Sequence, residues 1–172
     1  MDKVKVSDKL LLSVEKPARY TGGELNSIVK ETARLRFALC FPDVYEIGMS
    51  HLGSRILYEV INSREEYACE RCFAPWPDME KAMRENNVPM FTLETRTPLA
   101  ECDIVGFSLL YEMCYTNILT MLDLAHIHKR SADRGENEPI IVAGGGCACN
   151  PEPIADFMDA ICLLYTSPSP RD

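Results

Sequence analysis

An acid, a phenol and a glycine stand at Asp43, Tyr45 and Gly48, spaced Asp-x-Tyr-x-x-Gly, directly after the apolar run Leu35 to Phe41. Two more segments follow apolar runs in the same way: Ser108-Leu109-Leu110, a Ser-x-Leu, and Gly144-Gly145-Gly146. Open α/β sheets bind ligands beyond the carboxyl ends of their strands, so three such segments can surround one ligand. Their chemistry is that of holding. The Ser108 hydroxyl can bond a polar ligand edge. The glycines at 144–146 let backbone come close to it, and Gly48 does the same for the first loop. The Tyr45 phenol, with a pKa of about 10, is a poor metal donor at neutral pH beside an imidazole. No nucleophile–base pair and no metal constellation is complete, which argues against an independent enzyme.

The elements that must position these segments alternate. Residues 1–34 read as a leader, with turns at Pro17 and at Gly22-Gly23. A first strand runs to Phe41 and ends at Pro42. A helix from Ser50 to Ile61, with Ser50 as its cap, would turn Leu52, Ile56, Leu57, Val60 and Ile61 to the sheet. A strand over Tyr67–Phe73 and a helix over Asp78–Asn86, with Met79, Ala82 and Met83 on one face, follow. Further strands are expected at Pro89–Leu93, Asp103–Ser108, Pro139–Ala143 and Ala160–Leu163, with helices at Met113–His128 and Pro151–Phe157. Alternation of this kind predicts a parallel sheet with crossover helices, over 35–161 as one α/β domain. Residues 162–172 break the pattern. Tyr165-Thr-Ser-Pro-Ser-Pro-Arg-Asp172 has no periodicity, reads as a disordered and non-native tail, and resembles translated adaptor read-through; the native course is expected to depart after about Ile161.

The chain's 172 residues suffice for one domain with a real core. A net charge of −8 argues against a surface that tracks nucleic-acid phosphates. No apolar run approaches the ~20 residues of a membrane span, and no signal-peptide core is present, so the chain reads as cytoplasmic. Eight cysteines in such a domain read as reduced thiols rather than a disulfide framework. Cys69-x-x-Cys72 and Cys147-x-Cys149 are pairs that favour buried or incidental thiols over a four-thiolate zinc site. His51 reads as a surface or capping residue, and His126 and His128 suit the end of a helix. Trp76 reads equally as packing, a pocket wall or a docking residue. Nothing marks Glu46 and Glu112 as an acid–base pair.

The order of these segments, and a wider set, resemble the N-terminal region of cobalamin-binding-domain-containing radical S-adenosylmethionine (SAM) proteins. The carrying segments are Pro17-Ala-Arg-Tyr-Thr-Gly-Gly-Glu-Leu-Asn26, Phe41-Pro-Asp-Val-Tyr-Glu-Ile-Gly-Met-Ser-His-Leu-Gly53, Phe73-Ala-Pro-Trp-Pro-Asp78, Gly106-Phe-Ser-Leu-Leu-Tyr-Glu112 and Ala143-Gly-Gly-Gly146. The resemblance implies a flavodoxin-like (Rossmann-like), doubly wound cobalamin module. Asp43, Tyr45, Gly48, Ser108, Leu110, Gly144, Gly145 and Gly146 would then border the cofactor. Tyr45 stands where that family's pattern has a metal-ligating histidine, which implies cobalamin without a protein ligand and with its base displaced. The resemblance also implies a barrel in cis carrying an iron–sulfur cluster and S-adenosylmethionine. Neither belongs to this chain, which has no Cys-x-x-x-Cys-x-x-Cys triplet. The expected role is a binding module, inactive alone. Two rivals stand beside it: a flavin or nucleotide at the same edge, disfavoured by the low glycine density of 43–48, and a ligand-free interaction domain.

Overall fold

The computed structural model describes residues 3–163. Its elements run α1 (Asp8–Leu11), β1 (Leu35–Phe41), α2 (Tyr45–Ser50), α3 (Leu52–Asn62), β2 (Tyr67–Phe73), α4 (Pro77–Asn86), β3 (Ile104–Ser108), α5 (Tyr115–Leu124), β4 (Ile140–Gly144) and β5 (Ala160–Cys162). The five strands form one sheet in the order β2-β1-β3-β4-β5, and every pairing is parallel. That order is flavodoxin-like, and it puts the switch point between β1 and β3.

Strand alternation divides the core into two layers. Ala38, Cys40, Val105, Phe107, Ile141 and Ala143 point to one face and pack with Met79 and Met83 of α4 and Ile118, Met121 and Leu122 of α5. Val4, Val6, Leu10, Leu11 and Val14 from the start of the chain join this layer. Phe37, Leu39 and Cys69 point the other way and pack with Tyr58 and Ile61 of α3. Among the described residues nothing helical covers that second face beyond β1: the β3 and β4 positions Ile104, Ser108, Val142 and Gly144 are half-buried, and Ile140 is 53% exposed.

The helix after β1 departs from expectation in two ways. It begins at Tyr45, inside the segment read as a loop, and breaks at His51. His51, rather than Ser50, caps α3. Its apolar stripe also faces outward: Leu52, Ile56, Leu57 and Val60 are exposed, whereas Ser54, Tyr58 and Asn62 are buried. The reason lies in the edge strand. β2 has unpaired backbone groups on its outer side, and buried polar groups must find partners. The Asn62 amide donates to the Cys69 carbonyl at 3.0 Å and accepts from the Cys69 N–H at 3.0 Å. Two residues on, the Glu94 carboxylate accepts the Arg71 N–H at 2.6 Å, and the Leu93 N–H donates to the Arg71 carbonyl at 2.8 Å. Satisfying that edge turns the polar side of α3 inward and its aliphatic side to solvent.

Other expectations shift for local reasons. Residues 89–93 are not a strand; only a bridge between Phe91 and Pro98 forms. The segment is instead tied down by the buried Glu70 carboxylate, which accepts from Thr92 Oγ1 at 2.5 Å, from Thr95 Oγ1 at 2.6 Å and from the Arg36 guanidinium. The long helix is shorter than expected: a 3-10 turn at Glu112–Cys114 precedes α5. Beyond its end His126 takes a left-handed φ of 58°, and His128 bonds Glu138. Pro151–Phe157 forms only a 3-10 turn at Ala155–Phe157. The expected tail from residue 164 onward lies outside the described residues. No helix among those residues is long and apolar enough to cross a membrane.

Candidate functional site

The C-terminal edge of the sheet gathers three of the predicted segments. Pro42 and Asp43 follow β1, Ser108 to Tyr111 follow β3, and Gly144 to Gly146 follow β4. Ser108 and Gly144 are register partners. They lie on the part of the second sheet face, beyond β1, that no helix among the described residues covers, immediately below the edge, and the Ser108 hydroxyl has no hydrogen-bond partner among the described residues. Two residues lower on β3 the Phe37 ring lies across Gly106, where an added Cβ would fall 2.4 Å from Phe37 Cζ. The result is a short uncovered strip that opens at the edge and is floored by an aromatic ring.

The rim is built by cross-links. Asp43 accepts a hydrogen bond from the Tyr111 hydroxyl across the switch point, and its other oxygen accepts the Val44 N–H at 2.7 Å. The Asn117 amide donates to the Pro42 carbonyl at 2.9 Å. The β3 and β4 loops are stitched by backbone: the Leu109 N–H donates to the Gly144 carbonyl at 2.7 Å, and the Cys147 N–H donates to the Leu109 carbonyl at 3.2 Å. Gly145, at φ +126°, is required by this closure, since a Cβ there would sit 2.5 Å from the Leu109 carbonyl oxygen. Gly146 faces open space. Leu110 is half-buried in the β3 loop, and its neighbour Leu109 takes the core position.

Tyr45 and Gly48 take a different direction. Both belong to α2. The Tyr45 hydroxyl donates to Glu24 Oε1 at 3.2 Å, and its ring meets Phe73 edge-on at 5.5 Å between centroids. Burial, then the Glu24 charge, raise the Tyr45 pKa, so the phenol stays protonated. Gly48 is small because Phe73 lies against it: a Cβ would fall 2.3 Å from that ring. His51 is also committed. Its Nδ1 accepts the Ser54 N–H at 3.1 Å, and its ring packs on Phe41 at 5.3 Å. Glu46 pairs with Arg19 at 3.0 Å and Lys16 at 3.3 Å. The hydrogen bond from Arg19 holds its pKa down, which makes it no proton donor.

Sequence reading passed over three edge residues. Tyr111 and Asn117 brace the switch point, and the Tyr115 hydroxyl is buried without a partner among the described residues. Tyr115 lies beside Cys147 and Glu112, and burial, then those neighbours, raise its pKa. The one sequence signal for them was an aromatic directly after Ser-x-Leu.

No group of three or more His, Cys, Asp or Glu among the described residues could hold an ion. Cys69 and Cys72 belong to opposite layers of the core. Burial, then the Glu94 charge, push Cys69 up to about 12, and such thiols are inert. Trp76 is half-exposed under Arg19, whose guanidinium lies 5.1 Å from its ring centroid. It lines a depression of about 230 Å³ with Asp43, Pro75 and Asn117.

A corrinoid would meet these residues at the sheet edge. The depression is smaller than the ~300–1,000 Å³ of enclosed ligand pockets, so a macrocycle would lie across the edge rather than inside it. The strip at Ser108 and Gly144 has room on the face for a tail, Gly146 leaves the rim clear, and the orphaned Tyr115 hydroxyl asks for a polar partner. The β3 and β4 loops themselves are sealed to each other, so no tail passes between them. Tyr45 is bonded to Glu24, and the Nδ1 of His51 accepts the Ser54 N–H. No curated protein matches the chain. Residues 53–163, well over half of the chain, match the family described as radical SAM proteins, N-terminal, and the chain belongs to that family.

Proposed function

We propose that this domain is a corrinoid-holding module of a radical SAM protein, one that gives cobalt no side-chain ligand. The observation that carries the reading is the uncovered strip where Ser108 and Gly144 stand side by side beneath the switch-point edge. Ser108 would bond the corrinoid's tail, and Gly144 would let it lie close to the strand. The Asp43–Tyr111 bridge would support the macrocycle from the β1–β3 side. Gly146 and the Tyr115 hydroxyl would border it over β4. Tyr45 and Gly48 act at one remove, by packing α2 against Phe73. A bound corrinoid supplies a cobalt centre able to carry an alkyl group or exchange electrons. This chain's residues would orient it and leave its lower face free of protein nitrogen. The iron–sulfur cluster and S-adenosylmethionine would be held by a barrel in cis, and this module would be inactive by itself.

The test is a titration of the folded chain with hydroxocobalamin, followed by absorbance and by retention through desalting. One equivalent retained with a displaced-base spectrum, and lost in Ser108→Leu, is the expected result. A folded chain that retains none would overturn the reading and leave a docking domain. A spectrum of histidine-ligated cobalt would overturn the part assigned to Tyr45 and His51.

A further inference from the structure

A second cavity, of about 230 Å³, lies away from the sheet edge, between α3, the strands β1 and β2, and residues 24–26. Its base is apolar, formed by Leu39, Phe41 and Phe73, and Met49 and Tyr58 form its walls. Gly48 belongs to the same wall. The polar groups above this base are arranged unusually.

Arg71 is held at one end and unfinished at the other. Its Nε donates to Glu94 Oε1 at 2.6 Å, and its guanidinium stacks on Tyr58, 4.5 Å from the ring centroid. Its Nη2 donates to Ser27 Oγ at 3.0 Å and lies 3.7 Å from Glu24 Oε2. Its Nη1, in contrast, reaches only the thioether of Met49 at 3.4 Å. Sulfur is a weak acceptor, so a half-buried charged donor is left without an adequate partner. Beside it Glu24 offers carboxylate oxygens whose protein donors are the Tyr45 and Ser27 hydroxyls, at 3.2 and 3.3 Å. A strong donor and a strong acceptor thus stand side by side over an aromatic base. At the mouth the side chains of Asn26, Arg55 and Glu59 make no hydrogen bond or ion pair among the described residues. Leu25 is 99% exposed beside them, just after Gly22 and Gly23 at φ +71° and +83°.

We infer that this cavity binds a nucleoside, with its heterocyclic base inward. A heterocyclic base is flat and apolar on its faces and carries adjacent hydrogen-bond acceptors and donors on one edge. That edge matches Arg71 Nη1 and Glu24, and its face matches Phe41, Phe73 and Tyr58. The sugar hydroxyls fall to Asn26, Arg55 and Glu59. A phosphate is disfavoured. The charge of Arg71 is already met by Glu94 and Glu24, which leaves Arg55 alone against Glu59. The volume is also below that of drug-sized pockets, about 300 Å³ upward, and suits a small ligand. This site is separate from the Ser108–Gly144 strip and does not depend on the corrinoid reading.

The experiment titrates the full chain with adenosine, guanosine, cytidine and uridine, and with their 5′-monophosphates, followed by amide NMR shifts and calorimetry. The inference expects at least one nucleoside to bind saturably, more tightly than its monophosphate, with shifts at Gly48, Ser54 and Tyr58. Glu24→Gln should weaken it about ten-fold or more, as for a hydrogen bond to a charged group. Asn26→Trp, which fills the mouth from an exposed segment, should abolish it while the far-ultraviolet circular dichroism and urea midpoint of the protein are unchanged. No saturable binding by any of the four nucleosides in folded protein would overturn the inference. So would binding that survives Asn26→Trp, or a monophosphate that outcompetes its nucleoside.

Discussion

Gly145→Ala separates two explanations of the glycine run. If ligand contact alone required Gly145, the ligand-free protein would tolerate alanine. The geometry says otherwise. Gly145 has φ +126° and ψ −172°, a region open essentially to glycine alone, and occupying it costs other residues about 1–3 kcal/mol. The new Cβ would also lie 2.5 Å from the Leu109 carbonyl oxygen and 3.0 Å from its nitrogen. These are backbone atoms that cannot rotate away. Moving the loop instead would stretch the bonds of Leu109 to Gly144 and Cys147, each worth about 0.5–1.5 kcal/mol. A loss of about 2–4 kcal/mol follows, a large share of the ~5–15 kcal/mol that holds an ordinary domain. With urea slopes of about 1–3 kcal/mol/M, the unfolding midpoint should fall by on the order of 1–2 M. The assay is equilibrium urea unfolding of both proteins, without ligand, by far-ultraviolet circular dichroism. A midpoint within about 0.3 M of the parent, less than ~1 kcal/mol on the same slopes, would refute the closure argument and return Gly145 to a role in ligand contact.

Three further outcomes are expected. Asn62→Leu strands the buried N–H and C=O of Cys69, at about 1–3 kcal/mol each, so unfolding midpoints should drop by more than for any α3 surface change. Ile56→Glu, on the outward side of α3, should shift stability by no more than about 0.5 kcal/mol; a loss of several would restore the sheet-facing stripe that the sequence suggests. The third concerns acid stability. Burial opposes the charge on Glu138, but the His128 and Gly135 N–H groups and the His128 ring hold its pKa down to about 2. A depressed carboxylate stabilises fully above its unfolded pKa of about 4.3 and loses that contribution as pH falls through the folded value. Thermal melts of the parent and Glu138→Gln should therefore differ at neutral pH and converge between about pH 4.3 and 2; a gap that persists at the acid end would refute this.

The strands were legible because period-two burial leaves a strong imprint. Leu35–Phe41, Tyr67–Phe73, Asp103–Ser108 and the run ending at Ala143 each show an apolar set bounded by turn residues, and each is a strand within a residue or so. The inner face of α4 was legible for the same reason, since Met79, Ala82 and Met83 have only the sheet to pack on. α3 misled because its apolar count measures hydrophobicity and not direction. What turned the helix was the unpaired edge of β2, satisfied by Asn62, a residue far away in any apolar pattern. Residues 89–93 misled through local propensity, whereas Glu70, a charged residue inside a strand, fixes that segment through Thr92 and Thr95. Such long-range polar bonds leave no periodic trace. At the candidate site the order of the segments was readable, but not that Asp43 serves Tyr111, nor that Tyr45 turns toward Glu24.

That last difference bears on the proposal that a corrinoid held at this edge would take no ligand from the protein. The break between α2 and α3 places a histidine at the cap of the second helix, where its ring accepts a backbone N–H and packs on Phe41. An N-cap of this kind contributes about 1 kcal/mol, so His51 has a structural use that competes with any service to a metal. The position that faces Phe73 is then taken by a phenol bonded to Glu24, and Glu24 in turn lies against Arg71. Ligation could not be recovered by changing Tyr45 alone. An imidazole there would lose the hydroxyl that bonds Glu24 and would still lie on α2, which Gly48 seats against Phe73. Tyr45→His should therefore leave the cobalt of any bound corrinoid unligated by protein, readable as an unchanged displaced-base absorbance spectrum. A spectrum that shifts to histidine ligation would show that α2 is free to turn toward the edge, and that the seating of Gly48 on Phe73 does not fix it.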